Sequence, residues 1–152
     1  MSSPVVRNRV RASGLDISLL RRVVRALADG LFPQTRLDLG VYVVGEVEMT
    51  RLNETFLRHR GVTDVITFDY GDPGDPKVIQ GEIFVCLDEA RNQARRFGTR
   101  WEQELVRYIV HGTLHLAGYD DRRKIARLRM KRRENELLRE LSQSFSLGRL
   151  GR

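Results

Sequence analysis

The sequence predicts a single α+β domain, and three observations carry that expectation. Strand-like runs gather in the first half of the chain. Helical patterns dominate the second half. No internal repeat or linker divides the 152 residues. The expected architecture is a small mixed β-sheet of about four strands packed with about five helices, one of them central. The domain is expected to span residues 1–143, with a disordered Gly-, Ser- and Arg-rich tail at 144–152.

The elements follow in order. Residues 1–10, with Val5, Val6 and Val10, suit an edge strand. Leu15-Asp16-Ile17-Ser18 opens a helix whose Leu19, Leu20, Val23, Val24 and Leu27 recur at helical spacing, with Gly30 as its stop. Leu37 to Val44 alternates and then turns continuously apolar, as a central strand does. Glu46 to Arg58 reads as a helix burying Met49, Leu52, Asn53, Phe56 and Leu57. Thr63 to Tyr70 is rich in β-branched and aromatic residues and predicts a strand. The breaker-rich stretch from Gly71 to Pro76 joins it as a hairpin to a strand from Val78 to Leu87. Asp88 is the expected N-cap of a helix through Arg96, ended by Gly98. Trp101 to Leu116 predicts a helix with Leu105, Ile109, Gly112 and Leu116 on one side and Glu104, Tyr108, His111 and His115 on the other. A last helix from about Arg122 to Ser142 has Ile125, Leu128, Leu137, Leu138 and Leu141 as apolar positions.

Composition narrows the function classes. Apolar residues make up 41% of the chain, and no apolar run reaches the length of a membrane helix, so a soluble protein is expected. The first residues lack the apolar core of a secretory signal. The single cysteine, Cys86, excludes an internal disulfide, fits a reducing cytoplasm and sits in an apolar run as a small buried residue would. Net charge is +7, carried mostly by arginine, which favours bidentate contacts with phosphate and points to nucleic acid as partner.

The chemistry concentrates in His111-Gly112-Thr113-Leu114-His115-Leu116-Ala117-Gly118-Tyr119-Asp120-Asp121, which holds two of the three histidines. Histidines four residues apart lie on one helix face and can share one metal ion. Gly118 lets the chain turn back, so that a carboxylate reaches the same ion. His111, His115 and Asp121 would then supply two imidazole nitrogens and one oxygen, a set suited to zinc with a position left open for water. Fe(II), Mn(II) and Ni(II) also accept such ligands. A water ionised by that metal would attack a phosphodiester drawn in by the basic surface. The alternative is a pair of imidazoles hydrogen-bonded within the protein. A metalloprotease would carry His-Glu-x-x-His; here Gly112 stands at the glutamate position, and the general base is missing.

The same stretch resembles the His-Gly-x-Leu-His-Leu-x-Gly-Tyr-Asp-His signature of the YbeY family of bacterial rRNA-maturation endoribonucleases. Leu52-Asn53-Glu54-Thr55-Phe56, Thr63-Asp64-Val65-Ile66-Thr67-Phe68 and Gly81-Glu82-Ile83-Phe84-Val85 are similar to three further family segments, in the same order. The resemblance spans roughly residues 37–142. It implies a cytoplasmic, zinc-dependent, single-strand-specific endoribonuclease, a hydrolase that processes the 3′ end of small-subunit ribosomal RNA and serves ribosome quality control. It implies one bound Zn2+, ribosomal RNA and ribosomal proteins as partners, and an α+β fold. Two positions depart from the pattern. Asp121 replaces the third ligand histidine, which lowers the charge of the site and makes its water less acidic. Asp120 is a competing carboxylate. The family's Tyr-Arg pair falls on Phe56-Leu57, so the substrate arginine is absent; Arg58 and Arg60 flank the gap as candidate phosphate contacts.

Other residues have two readings. Arg122 to Arg133 is a dense cationic run, either a phosphate-tracking surface or a solvated helix face paired with Glu134, Glu136 and Glu140. Arg91, Arg95, Arg96 and Arg100 form a second patch with the same ambiguity. His59 is a candidate base or an exposed loop residue. Glu104 is a candidate acceptor for an imidazole N–H. The rival functions are a ribosome-associated RNA-binding factor whose metal is structural or absent, and a hydrolase of small phosphorylated compounds; the long basic helix speaks against the second.

Overall fold

The computed structural model describes residues 3–72, 74–75 and 77–151. Strands β1 (Val5–Asn8), β2 (Arg36–Val44), β3 (Val65–Asp69) and β4 (Val78–Cys86) form a mixed sheet in the spatial order β1-β2-β4-β3. β1 pairs parallel with β2 and β2 with β4, whereas β3 and β4 form the expected antiparallel hairpin. Pro73 and Pro76 of its breaker-rich turn, and Met1 and Ser2 of the expected first strand, lie outside the described residues. The helices among the described residues are α1 (Ile17–Leu31), α2 (Glu46–Leu52), α3 (Leu87–Phe97), α4 (Trp101–Leu116) and α5 (Lys124–Ser144). No helix among them is long and apolar enough to cross a membrane.

Strand alternation divides the core between the two faces of the sheet. Leu37, Leu39, Val41 and Val43 of β2, with Ile83 and Val85 of β4, join the large core shared with α1, α4 and α5. Val44, Ile66, Phe84 and Cys86 face the other way and meet Met49 of α2 in a smaller cluster. Cys86 is fully buried, and burial pushes its thiol up to about 11, so it behaves as an apolar core residue. α4 is the central helix: Leu105, Val106, Val110 and Leu114 are fully buried on it.

Gly112 explains how closely α4 sits on the sheet. A Cβ at this position would lie 2.8 Å from Ile83 Cγ2 and 2.8 Å from Thr67 Oγ1. There is no room here for the glutamate of a protease motif. The helix presses its glycine face onto β3 and β4, which turns His111 and His115 outward.

Several local expectations give way to tertiary context. Gly30 lies inside α1, which ends one residue later and is closed by Phe32 N–H donating to Ala28 O. The helix expected to run to Arg58 is α-helical only to Leu52; Asn53–Leu57 form a π-helical turn and Arg58 reverses the chain at φ +57°. Asn53 is buried there and donates from Nδ2 to Gly61 O at 2.9 Å, which ties the turn to the following loop. The widened turn leaves Phe56 and Leu57 61% and 43% exposed rather than buried. Asp88 does not cap α3, whose N-cap is Cys86; its carboxylate instead accepts from Glu46 N–H at 2.7 Å and caps α2, which has no side-chain cap of its own. Ile125 and Leu128 are exposed, because the buried stripe of α5 starts at Met130.

The tail expected to be disordered is ordered through Gly151; Arg152 lies outside the described residues. Leu147 and Leu150 insert into the main core, Leu150 without any exposure. Asp16 N–H donates to Leu150 O at 2.8 Å, and Leu15 bridges Gly151. Gly, Ser and Arg dominate the composition of this segment, but its two leucines at a one-turn spacing decide its fate.

Two stability measurements follow. Gly112→Ala gains about 1 kcal/mol of helix propensity, but overpacking against Ile83 and Thr67 costs about 1–3 kcal/mol, so urea denaturation will show net loss. Leu150→Ala will cost about 2–5 kcal/mol by the same assay; an unchanged midpoint would mean the tail contributes nothing to the core.

Candidate metal centre

α4 carries His111 and His115 one turn apart, and the end of the helix brings the third group to them. Gly118 adopts φ +97°, and Tyr119 N–H donates back to Leu114 O at 3.0 Å. The chain thus doubles over the last turn and delivers Asp121. Its Oδ2 lies 3.3 Å from His115 Nε2 and 3.7 Å from His111 Nε2, and the two Nε2 atoms are 3.1 Å apart. The three residues form a group that could hold a metal ion. Asp120 is turned away: its Oδ1 accepts from Arg122 N–H and pairs with the Arg122 guanidinium.

The outer hydrogen bonds fix the tautomer of each imidazole. His115 Nδ1 is 3.2 Å from Tyr119 O, a carbonyl that only accepts, so Nδ1 carries the proton. His111 Nδ1 is 3.0 Å from Glu134 Oε2. Burial opposes ionisation of Glu134, yet the hydrogen bonds from His111 and Arg107, aided by the charge of Lys131, bring its pKa down to about 2. Glu134 is therefore an anionic acceptor, and His111 also donates from Nδ1. Each neutral imidazole then directs its Nε2 lone pair at the other, beside a carboxylate oxygen. Three lone-pair donors this close repel one another unless a cation sits among them. Tetrahedral coordination with Zn–N bonds of 2.0–2.1 Å would place two nitrogens about 3.3 Å apart, close to the separation seen. The residues present therefore fit a divalent ion. The three side chains are 29–42% exposed, which leaves the site open to solvent.

Glu134 was not singled out for this role by the sequence. Glu104, expected to take the imidazole N–H, instead accepts from Thr99 Oγ1 at 3.1 Å. The signal for Glu134 lay in its position on the buried stripe of α5, between Met130 and Leu137. Arg107 was missed too; one turn before His111, it donates to Glu134 Oε1 and to Asn135 Oδ1, each at 2.9 Å.

A cleft of about 370 Å³ opens beside His111 and Asp121 and includes Arg107, Arg127 and Lys131. Part of the basic run thus reaches the site. The second patch is partly committed elsewhere: Arg91 donates to Ser13 O and covers the Trp101 ring, and Arg100 pairs with Glu102. Arg58, His59 and Arg60 are exposed beyond the π-turn and do not line this cleft.

The fold and site together define a small α+β domain that brings two histidines and a carboxylate together at the end of its central helix. The family model described as Endoribonuclease YbeY matches residues 8–142. A protein of Chlorobium luteolum named "Endoribonuclease YbeY" is 39% identical over 127 residues, 84% of this chain and 90% of the relative. One of Salinibacter ruber bearing the same name is 34% identical over 131 residues, 82% of each. A solution structure from Thermotoga maritima shares 26% identity with a TM-score of 0.63, covering 93% of both chains. The chain belongs to the endoribonuclease YbeY family.

Glu134 yields a prediction with two readouts. Replacing it by Gln will weaken Zn2+ binding about 10–100-fold at neutral pH, measured by competition with a chromophoric chelator. The hydrogen bond to Glu134 raises the His111 pKa against the opposing effect of burial, and the charges of Glu134 and Asp121 add to it. A protonated imidazole cannot bind metal, so affinity will fall as pH drops through a value above the ordinary histidine pKa of about 6.5. In Glu134→Gln that midpoint will move down.

Proposed function

We propose that this protein is a metal-dependent, single-strand-specific endoribonuclease that matures ribosomal RNA, including the 3′ end of the small-subunit RNA, and takes part in ribosome quality control in the cytoplasm. The observation that carries the reading is the convergence of His111 Nε2, His115 Nε2 and Asp121 Oδ2, each imidazole held by a donor bond from its other nitrogen. Relatives named for endoribonuclease activity support the choice of RNA as substrate.

His111, His115 and Asp121 would hold one Zn2+, or another divalent transition metal. When bound, the ion supplies Lewis acidity, making water more acidic and offsetting charge on a phosphate. The protein's own residues do the rest. Glu134 and the Tyr119 carbonyl keep both Nδ1 protons in place and hold the rings in register. Arg127 and Lys131 beside the cleft offer positive charge to an incoming phosphate. Arg58 and Arg60, on the loop after the π-turn, are candidate phosphate contacts further along the strand. Ribosomal RNA and ribosomal proteins are the proposed partners.

Two departures from the family pattern favour a second reading, a ribosome-associated RNA-binding factor whose metal is structural or absent. Asp121 stands in place of the third ligand histidine, and Leu57, exposed, stands where the resemblance places the substrate arginine. Purified protein should hold about one metal ion per chain and cleave single-stranded ribosomal RNA in a chelator-sensitive way. His115→Ala should lose both the ion and the cleavage while keeping its circular dichroism spectrum. Metal content unchanged in that variant would overturn the ligand assignment. RNA binding without cleavage by the metal-loaded protein would establish the second reading.

A further inference from the structure

We propose that the cleft beside His111 and Asp121 seats one nucleobase of the bound strand and selects guanine. The inference rests on the reading of RNA as substrate and adds a specificity determinant to it. The cleft lies between α3, α4, α5 and the start of β3, and His111 and Asp121 line it along with the groups below. Its volume of about 370 Å³ falls in the range of small-molecule sites.

Its walls differ in chemistry. Partly exposed Val65 of β3 supplies apolar surface for a flat base, and the largely buried Met130 of α5 and Tyr108 complete the apolar lining. Asp64 and Glu104 supply carboxylates. Each has one oxygen already engaged: Asp64 Oδ1 accepts from Val65 N–H at 2.8 Å, and Glu104 Oε1 accepts from Thr99 Oγ1 at 3.1 Å. Among the described residues no hydrogen bond reaches Asp64 Oδ2 or Glu104 Oε2. On the α5 side, Arg127 and Lys131 provide cations for a phosphate. Tyr108 is 5% exposed, and its buried hydroxyl has no hydrogen-bond partner among the described residues. Buried polar groups seldom stay unpaired, and a ligand seated against Tyr108 would bring polar atoms to it.

Carboxylates accept and never donate when ionised, so the base edge that faces them must carry donors. Guanine places N1–H and N2–H2 side by side, two adjacent donors for two acceptors. Adenine and cytosine each offer an amino group beside a ring nitrogen that accepts. Uracil flanks its one N–H with two carbonyls, which carboxylates repel. Arg127 and Lys131, which line the same cleft as His111 and Asp121, would offer positive charge to the phosphate of a nucleotide seated there.

The test has two arms, both on the full chain. In the first, guanosine, adenosine, cytidine and uridine monophosphates are titrated without metal and followed by calorimetry. Guanosine monophosphate should bind about tenfold more tightly than uridine monophosphate. Asp64→Asn and Glu104→Gln should each collapse that ratio, because each keeps the engaged acceptor and puts an NH2 donor in place of the other oxygen. In the second arm, a random single-stranded RNA pool is cleaved and the new ends are sequenced. Guanine should be enriched at one fixed position from the cut, and the enrichment should fall in both variants. Equal binding of the four nucleotides by the unmodified protein, or cleavage without base enrichment, overturns the guanine pocket and leaves the nuclease reading intact. A guanine preference in binding with no RNA cleavage supports the pocket and removes the nuclease reading. A preference that persists in both folded variants overturns the assignment to Asp64 and Glu104.

Discussion

The close approach of α4 to the sheet at Gly112 is the constraint on which fold and site both depend. With no side chain at this point, the helix settles against Ile83 and Thr67, and its buried side joins the main core. The opposite side, with His111 and His115, is thereby directed toward α5 and the loop beyond Gly118. A larger residue would press on Ile83 and Thr67 and shift the helix that carries the imidazoles. Packing density and site geometry are one requirement here, because interiors as dense as crystals transmit small displacements.

Glu134 makes the same link electrostatically. A buried carboxylate is expensive unless several donors reach it. Here His111, Arg107 and Lys131 all do, from α4 and from its own helix. The result is an anion that locks the His111 tautomer and joins α5 to α4 at the level of the site. Asp121 adds a second carboxylate close by, so the group carries more negative charge than three imidazoles would. That charge would favour retention of a divalent ion and would moderate the acidity such an ion could confer on water.

Much of the architecture was legible because periodicity reports burial directly. The apolar run of β2 marked a strand inside the sheet, the breaker-rich stretch after Tyr70 marked the hairpin, and the spacing of Leu105, Ile109, Gly112 and Leu116 marked the buried side of α4. Asp88 caps α2 rather than α3 and the tail folds back onto the start of α1, both through contacts with distant segments that no local window contains. Phe56 and Leu57 are displaced by a π-turn tied to the loop that follows it, and Ile125 and Leu128 lie open ahead of the buried stripe of α5.

The candidate site divides in the same way. The helical repeat alone puts His111 and His115 on one face, and a glycine at position 118 permits the turn that follows; both are consequences of local backbone geometry. The same turn brings Asp121 rather than Asp120 to the histidines, as the sequence led one to expect. Which carboxylate buttresses them and which cations line the cleft were decided by tertiary structure. Glu134 rather than Glu104 meets His111, and Arg107 meets Glu134, only because α5 packs across α4. Sequence by itself determined the helix that carries both histidines and the family resemblance; the meeting of two helices decided the electrostatics, since charges act through space and not along the chain.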